Sequence, residues 1–283
     1  MHSLIPLEPV EYLVIGHVAH DLTLQGPRLG GTAAYAALTA RSLGMKVGIV
    51  TAVGNETPLD ALDGMPIVRI NSPHSTTFEN IYTNEGRVQY LRAQAARIDF
   101  DQVPAVWRNA SIIHLGSIAD EMDSAFPAGF APALLGVTPQ GWMRQWDSEG
   151  LVSSRAWENA GSLLANAGAI VISREDVRGD HELIEHLAHR TRMLVVTEGA
   201  EGCVVHWHGD RRRFRAPEMN EVDATGAGDI FAAAYFIRLH TTRDPWEAAR
   251  FATLIASRSV TRPGLEGIPT HAEIESCMTE VLQ

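Results

Sequence analysis

Short runs that are apolar at nearly every position most constrain how this chain folds. Tyr12-Leu13-Val14-Ile15, Ile112-Ile113-His114-Leu115, Leu134-Leu135-Gly136-Val137, Ala169-Ile170-Val171-Ile172 and Met193-Leu194-Val195-Val196 show no alternation of apolar and polar residues. A strand with one wet face alternates, whereas a strand covered on both faces does not. Helix-like segments fall between the runs: an Ala-rich stretch from 33 towards Gly44, then 157–167 and 180–190. Strands alternating with helices predict an α/β fold whose sheet is parallel in most of its strands.

The block 67–98 breaks this rhythm. Residues 76–83 and 87–92 read as two strands joined by Asn84-Glu85-Gly86, a hairpin turn. Residues 46–53 read as the second strand of the main sheet, and 145–152 as a loop. Strands are expected at 203–207 and 211–216. Pro245 at a first helical position opens a helix to 260, and 273–282 reads as a closing helix.

Length and composition then exclude classes of function. The chain has 283 residues, 45% hydrophobic and 20% charged, which suits a soluble globular protein of one large α/β domain or two small ones. A net charge of -11 argues against nucleic acid as a partner. Cys203 and Cys277 are too few for a disulfide framework. Pro6, Glu8, Pro9 and Glu11 interrupt any signal-peptide core, and no run approaches the ~20 apolar residues of a membrane helix. A cytoplasmic protein is expected. The pairs His186/His189 and His206/His208 bring no third ligand, so no zinc site is expected.

The chemistry is concentrated in Asp223-Ala224-Thr225-Gly226-Ala227-Gly228-Asp229, which runs straight into the apolar Ile230–Ile237 stretch. A small-residue turn opens a helix, and its glycines let a ligand approach the backbone. The first N–H groups of the helix lack intrahelical partners and carry the positive end of its dipole, an arrangement suited to a phosphate. Gly226, Ala227 and Gly228 are therefore the expected anion hole. Asp229 beside them is expected to stay ionised and to act as an acceptor. Together they suggest phosphoryl transfer to an alcohol. An acidic residue in a first turn also complements the helix dipole without any catalytic role.

This heptapeptide resembles the C-terminal signature of the ribokinase-like, or PfkB, family of carbohydrate kinases and matches every fixed position of it. Gly30-Gly31-Thr32-Ala33-Ala34-Tyr35 resembles the family's N-terminal signature, except that no Asn follows the two glycines where the family contacts its sugar. Thr197-Glu198-Gly199-Ala200-Glu201-Gly202 is similar to the Thr-x-Gly-x-x-Gly segment that lines nucleotide phosphates. The resemblance implies a ribokinase-like three-layer sandwich over residues 1–283, with a small β-sheet lid built from about 17–29 and 66–98.

By the same resemblance, Asp229 is the catalytic base. Asp21, Gly30, Gly31, Tyr35 and Arg87 bind a polyol substrate, with Phe78, Tyr82 and Gln89 as further pocket walls. Ser173, Thr197, Gly199, Gly202 and Thr225 bind ATP. Ser173-Arg174-Glu175-Asp176 stands where the family has Asn-x-x-Glu, so Asp176 is the residue to meet Mg²⁺ through water; a helix cap explains the same four residues. Arg144 alone corresponds to the family's phosphate-contacting segment after the 134–138 strand. The resemblance also admits a monovalent cation, and the open edge of the lid suits a homodimer contact. A non-catalytic, sugar- or nucleotide-responsive regulator on the same fold is the rival expectation, favoured by the missing Asn and opposed by the intact Asp229.

Overall fold

The computed structural model describes residues 7–23, 26–83, 86–124 and 129–278. The chain opens with β1 (Tyr12–Ile15), β2 (Ala19–Thr23), β3 (Gly26–Gly30), α1 (Thr32–Ser42) and β4 (Val47–Val53). Then come β5 (Ile67–Asn71), β6 (Thr76–Thr83), β7 (Gly86–Ala93), β8 (Ile112–Gly116) and β9 (Leu134–Thr138). Two very short strands, β10 (Arg144–Trp146) and β11 (Val152–Ser154), precede α2 (Gly161–Asn166), β12 (Ala169–Ser173) and α3 (His181–Arg190). The remainder is β13 (Met193–Thr197), β14 (Cys203–Trp207), β15 (Asp210–Phe214), α4 (Ala227–Thr242), α5 (Pro245–Ser259) and α6 (His271–Met278).

Nine strands form the central sheet in the order β15-β14-β13-β12-β9-β8-β1-β4-β5, every pairing parallel except those that β14 makes with β13 and β15. Both faces are covered, as the unalternating runs require. Tyr12 and Val14 join a core with α1, α4, α5 and α6; their neighbours Leu13 and Ile15 join one with Trp107, Leu163 and Leu187. On the first side the helices approach closely because their contact faces are small: Ala33, Ala34, Ala36 and Ala37 of α1, and Ala232, Ala233 and Ala234 of α4, are buried. Phe236 fills the space over Gly136 of β9, where a methyl group would lie 2.6 Å from its ring. Burying such a ring contributes about 2–3 kcal/mol.

A second sheet, β3-β2-β6-β7, forms the lid. A small apolar cluster joins it to the body, with Phe78 and Leu91 of the lid packed near Ala19, Ile118 and Ala119. Beneath it, Glu121 is fully buried and ties down the loop after β8. Its carboxylate accepts from the N–H groups of His17, Ile118 and Ala119 and from the Ser117 hydroxyl, at 2.8–3.1 Å.

Several expectations are corrected. Residues 145–152 are a loop only over 147–151, a turn that joins β10 to β11, which pair antiparallel. The expected 157–167 helix begins only at Gly161, because Asn159 takes a left-handed conformation (φ 56°) that ends helical continuity. Trp157 instead stacks on Trp142. Ser173 to Asp176 caps no helix; α3 starts later and is capped by Asp180, which accepts from Leu183 N–H. The stretch 66–98 is not all lid, since β5 pairs with β4 at the edge of the central sheet. Asn84 and Glu85 of the expected turn, and the side chains of Tyr82 and Arg87, lie outside the described residues. No helix among the described residues is long and apolar enough to cross a membrane.

Candidate active site

The N-terminal ends of α1 and α4 meet at the carboxyl edge of the sheet, the edge where open α/β sheets bind ligands. There Thr32 Oγ1 donates to Asp229 Oδ1 at 2.5 Å, between residues 197 apart in sequence. Thr32 is buried and was not singled out from the sequence, although it sits inside the Gly30-Gly31 motif. Nothing local marks its partner; only the packing of α1 against α4 brings the two together.

The turn before α4 is held from both sides. Asp223 accepts from Thr225 N–H (2.9 Å) and Gly264 N–H (3.0 Å), and Arg28 of β3 lies 3.9 Å from its carboxylate. Burial would raise the Asp223 pKa, but the Thr225 and Gly264 hydrogen bonds and the Arg28 charge outweigh it and hold the group below its usual range. Gly226 caps the helix in a left-handed conformation (φ 78°), and the ring of Tyr35 lies against its Cα. Tyr35 is 2% exposed and its ring supports the turn from beneath. Ala227 N–H is also committed, donating to Ala224 O at 3.2 Å, while the first i to i−4 bond of the helix runs from Ile230 to Gly226. The open donors of the first turn are thus those of Gly228 and Asp229.

Asp229 does not have the strongly acidic carboxyl that a helix N-terminus alone predicts. Burial pushes its pKa up to about 6, the Thr32 hydrogen bond and the Arg144 charge pull it down, and the Asp176 charge pushes it up. The residue keeps part of its surface accessible at the floor of the cleft, so the shift reflects the protein mass around it rather than complete enclosure. Such a carboxylate is ionised for the most part at pH 7 and more basic than a surface Asp.

A second group of the expected residues lies at the ends of β12 and β13. Ser173 and Thr197 are register partners on adjacent parallel strands. Ser173 Oγ accepts from Glu175 N–H (3.1 Å), and Thr197 Oγ1 donates to Ile172 O (3.3 Å). Asp176 Oδ2 accepts from Ser173 N–H at 2.9 Å, and Gln140 Nε2 lies 3.4 Å from Oδ1. Burial raises the Asp176 pKa, and the Arg144 charge opposes this first among the lowering influences. Arg144 therefore acts on both carboxylates and is more central than its sequence position suggested. Glu198, also not anticipated, is a nearly buried carboxylate paired with Arg213 (2.5 Å) and Arg174 (3.6 Å). Gly199 and Gly202 have positive φ, and a side chain at Gly202 would strike Phe214 O; their shape serves the turn between β13 and β14.

A third group of the expected residues lies on and beside the lid sheet. Asp21 of β2 is half-buried and its carboxylate covers Gly30 so closely that a side chain there would collide with it. Gly31 (φ 82°) likewise admits no side chain, because His17 O and Ala19 N lie where one would begin. Phe78 is buried, and Gln89 Nε2 donates to Asn80 Oδ1 across β6 and β7. No group of three or more His, Cys, Asp or Glu side chains able to hold a metal occurs among the described residues. Asp176 has both carboxylate oxygens within reach of protein donors, Ser173 N–H and Gln140 Nε2.

Comparison with known proteins gives a consistent result. A family model described as pfkB family carbohydrate kinase matches residues 161–271. The probable fructokinase-6, chloroplastic, of Arabidopsis thaliana is 28% identical over 183 residues, which is 56% of this chain and 46% of that protein, so the match spans less than half of that relative. Inositol 3-kinase of Oryza sativa subsp. japonica is 28% identical over 294 residues, covering 92% of this chain and 70% of its own. Among solved structures, a pyrophosphate-dependent kinase in the ribokinase family, complexed with a pyrophosphate analog and myo-inositol, superposes with a TM-score of 0.77 at 21% identity, covering 94% of this chain and 99% of that one. A putative ribokinase II from E. coli in complex with ATP and Mg²⁺ gives 0.71 at 19%, covering 96% and 99%. At these identities the structural likeness establishes the fold.

Proposed function

We propose that this chain is a member of the ribokinase-like PfkB family of carbohydrate kinases and transfers the terminal phosphoryl group of ATP to a hydroxyl of a small sugar, cyclitol or nucleoside. The observation that carries the reading is Asp229, fixed by Thr32 at the open first turn of α4 beneath the lid.

The chemistry follows from that placement. Thr32 occupies Asp229 Oδ1 and leaves Oδ2 to accept from the substrate hydroxyl. An alcohol is far too weak an acid to lose its proton to a carboxylate beforehand, so the proton passes to Asp229 as the new P–O bond forms and the bond to the leaving phosphate breaks. The N–H groups of Gly228 and Asp229, with the dipole of α4, stabilise charge on the transferred oxygens. Arg144 supplies a full positive charge to the same region. Asp176 would hold the water shell of a Mg²⁺ ion, which when bound neutralises donor phosphate charge. Asp21 accepts hydroxyl hydrogens of the acceptor, and the lid keeps water from replacing it.

The names of the relatives, fructokinase and inositol 3-kinase, make ketohexoses and cyclitols the first acceptors to try, followed by nucleosides. The test is donor consumption and phosphate-ester formation across such a panel, with pyrophosphate as a second donor. The expected result is turnover with at least one acceptor that requires Asp229. Donor and acceptor binding without any ester in every combination would favour a regulatory protein instead.

A further inference from the structure

Residues 144–154 connect the charged centre of the site to the lid. The β10–β11 hairpin is rooted in the body: Arg155 N–H donates to Met143 O (2.9 Å), Gly141 N–H to Ser117 O (2.7 Å) and Trp142 Nε1 to Met122 O (2.8 Å). Its tip is attached elsewhere. Leu91 N–H of β7 donates to Gly150 O at 2.8 Å, Tyr90 bridges Leu151 in antiparallel register, and Arg92 Nη1 donates to Glu149 O at 3.2 Å. Trp146 and Val152 pack against the cluster that contains Phe78 and Leu91 of the lid. The tip thus continues the lid sheet beyond its edge strand β7, while the root carries Arg144.

Arg144 is the first residue of β10. Its guanidinium lies 5.9 Å from the Phe78 ring and its charge reaches both Asp229 and Asp176. Only Gln145 and Trp146 complete that strand before the 147–151 turn that meets the lid. A connection this short, hydrogen-bonded at both ends, transmits displacement instead of absorbing it. Covering the edge of β7 would by itself explain the tip contacts, but it does not require the covering strand to begin at the residue facing the catalytic carboxylates.

We infer that the 144–154 hairpin is a strap through which lid closure places Arg144, making Arg144 a positioning residue for Asp229 and for the transferred phosphate whose location depends on the lid. This rests on the kinase reading of Asp229. Gly150 is the point at which it can be cut. Its φ is 87°, and a Cβ there would lie 2.4 Å from Leu91 O, so Gly150→Ala must part the strap from β7 without touching any group in the site.

The test uses the full chain, with a second variant in which residues 147–151 are replaced by Asn-Gly. That two-residue turn closes β10 onto β11 and removes the hydrogen bonds to β7, leaving only the side-chain packing of Trp146 and Val152 against the lid cluster. In both variants, amide hydrogen exchange over 86–93 should accelerate at least tenfold while exchange in β8 and β9 is unchanged. The acceptor KM should rise about tenfold with donor affinity retained, and donor hydrolysis without acceptor should increase relative to transfer. Arg144→Ala should cost about a hundredfold in the parent and only several-fold in the strapless variant, because the two act as one unit. Unchanged exchange over 86–93 in both variants, or an Arg144→Ala effect of equal size in both backgrounds, overturns the strap. If the parent protein transfers no phosphate, the exchange result still decides the strap and only the kinase reading fails.

Discussion

Replacing Asp229 by Asn should abolish transfer while making the protein more stable at neutral pH. The unfolded carboxyl titrates near 3.8 and the folded one near about 6, because burial opposes its charge. Between those values the folded state holds a proton that the unfolded state has already lost, so the parent loses stability as pH rises through this window. Two units at about 1.4 kcal/mol each give about 3 kcal/mol, and about 2 kcal/mol once the opening of the cleft to water is allowed for. Asparagine carries no charge and still offers Thr32 an acceptor. The advantage of Asp229→Asn should therefore be near zero below pH 4, grow as pH rises, and be constant above about pH 6.5. Urea unfolding of both proteins at intervals from pH 4 to pH 8 measures the difference directly, with the titration of every other group cancelling. A difference that is flat across that range, or a variant less stable than the parent at pH 7, would refute the claim that desolvation dominates at this carboxylate.

Three further outcomes follow from other parts of the structure. The acid limb of kcat/KM should bend near pH 6 and fall about tenfold per unit below it; a profile flat to pH 5 would remove the Asp229 carboxylate from proton transfer. Glu121→Ala should strip a common acceptor from three backbone N–H groups and the Ser117 hydroxyl. The cost is about 3–5 kcal/mol, seen as a Tm lower by about 6–15 °C in a thermal melt. Glu273 is held down to about 2: burial would raise it, but Arg262 and Thr270 outweigh burial by hydrogen bonds and charge. Its contribution of about 2 kcal/mol is present above pH 4.5 and lost as pH falls towards 2, so Glu273→Gln should flatten acid unfolding in that window.

The parts of this molecule that could be read from residues alone are those where local pattern and tertiary environment agree. β1, β8, β9, β12 and β13 were legible because both their faces are buried, which leaves no room for polar alternation. The α4 turn was legible because small residues, an apolar helix and an acid at fixed spacing have few uses together. What escaped depends on distant partners. The hairpin at 144–154 has three-residue strands with no apolar period of their own, and the lid holds its tip. Tyr35 lies just after the paired glycines, but helix periodicity does not show that its ring turns beneath Gly226. At Asp229 burial outweighs the helix dipole, and no local pattern in the sequence records that burial. Trp157 has an apolar pattern suited to a helix that the left-handed Asn159 prevents.

The most direct test of the central claim follows a single turnover by ³¹P NMR, with ATP, Mg²⁺ and whichever polyol supports turnover, for the parent and for Asp229→Asn. The account predicts a phosphate ester from the parent, a rate lower by at least about a thousandfold in the variant, and ATP dissociation constants for the two within a few-fold of each other. Ester formation by Asp229→Asn at a rate within tenfold of the parent would contradict it, because the site would then be working without the carboxylate around which it is built.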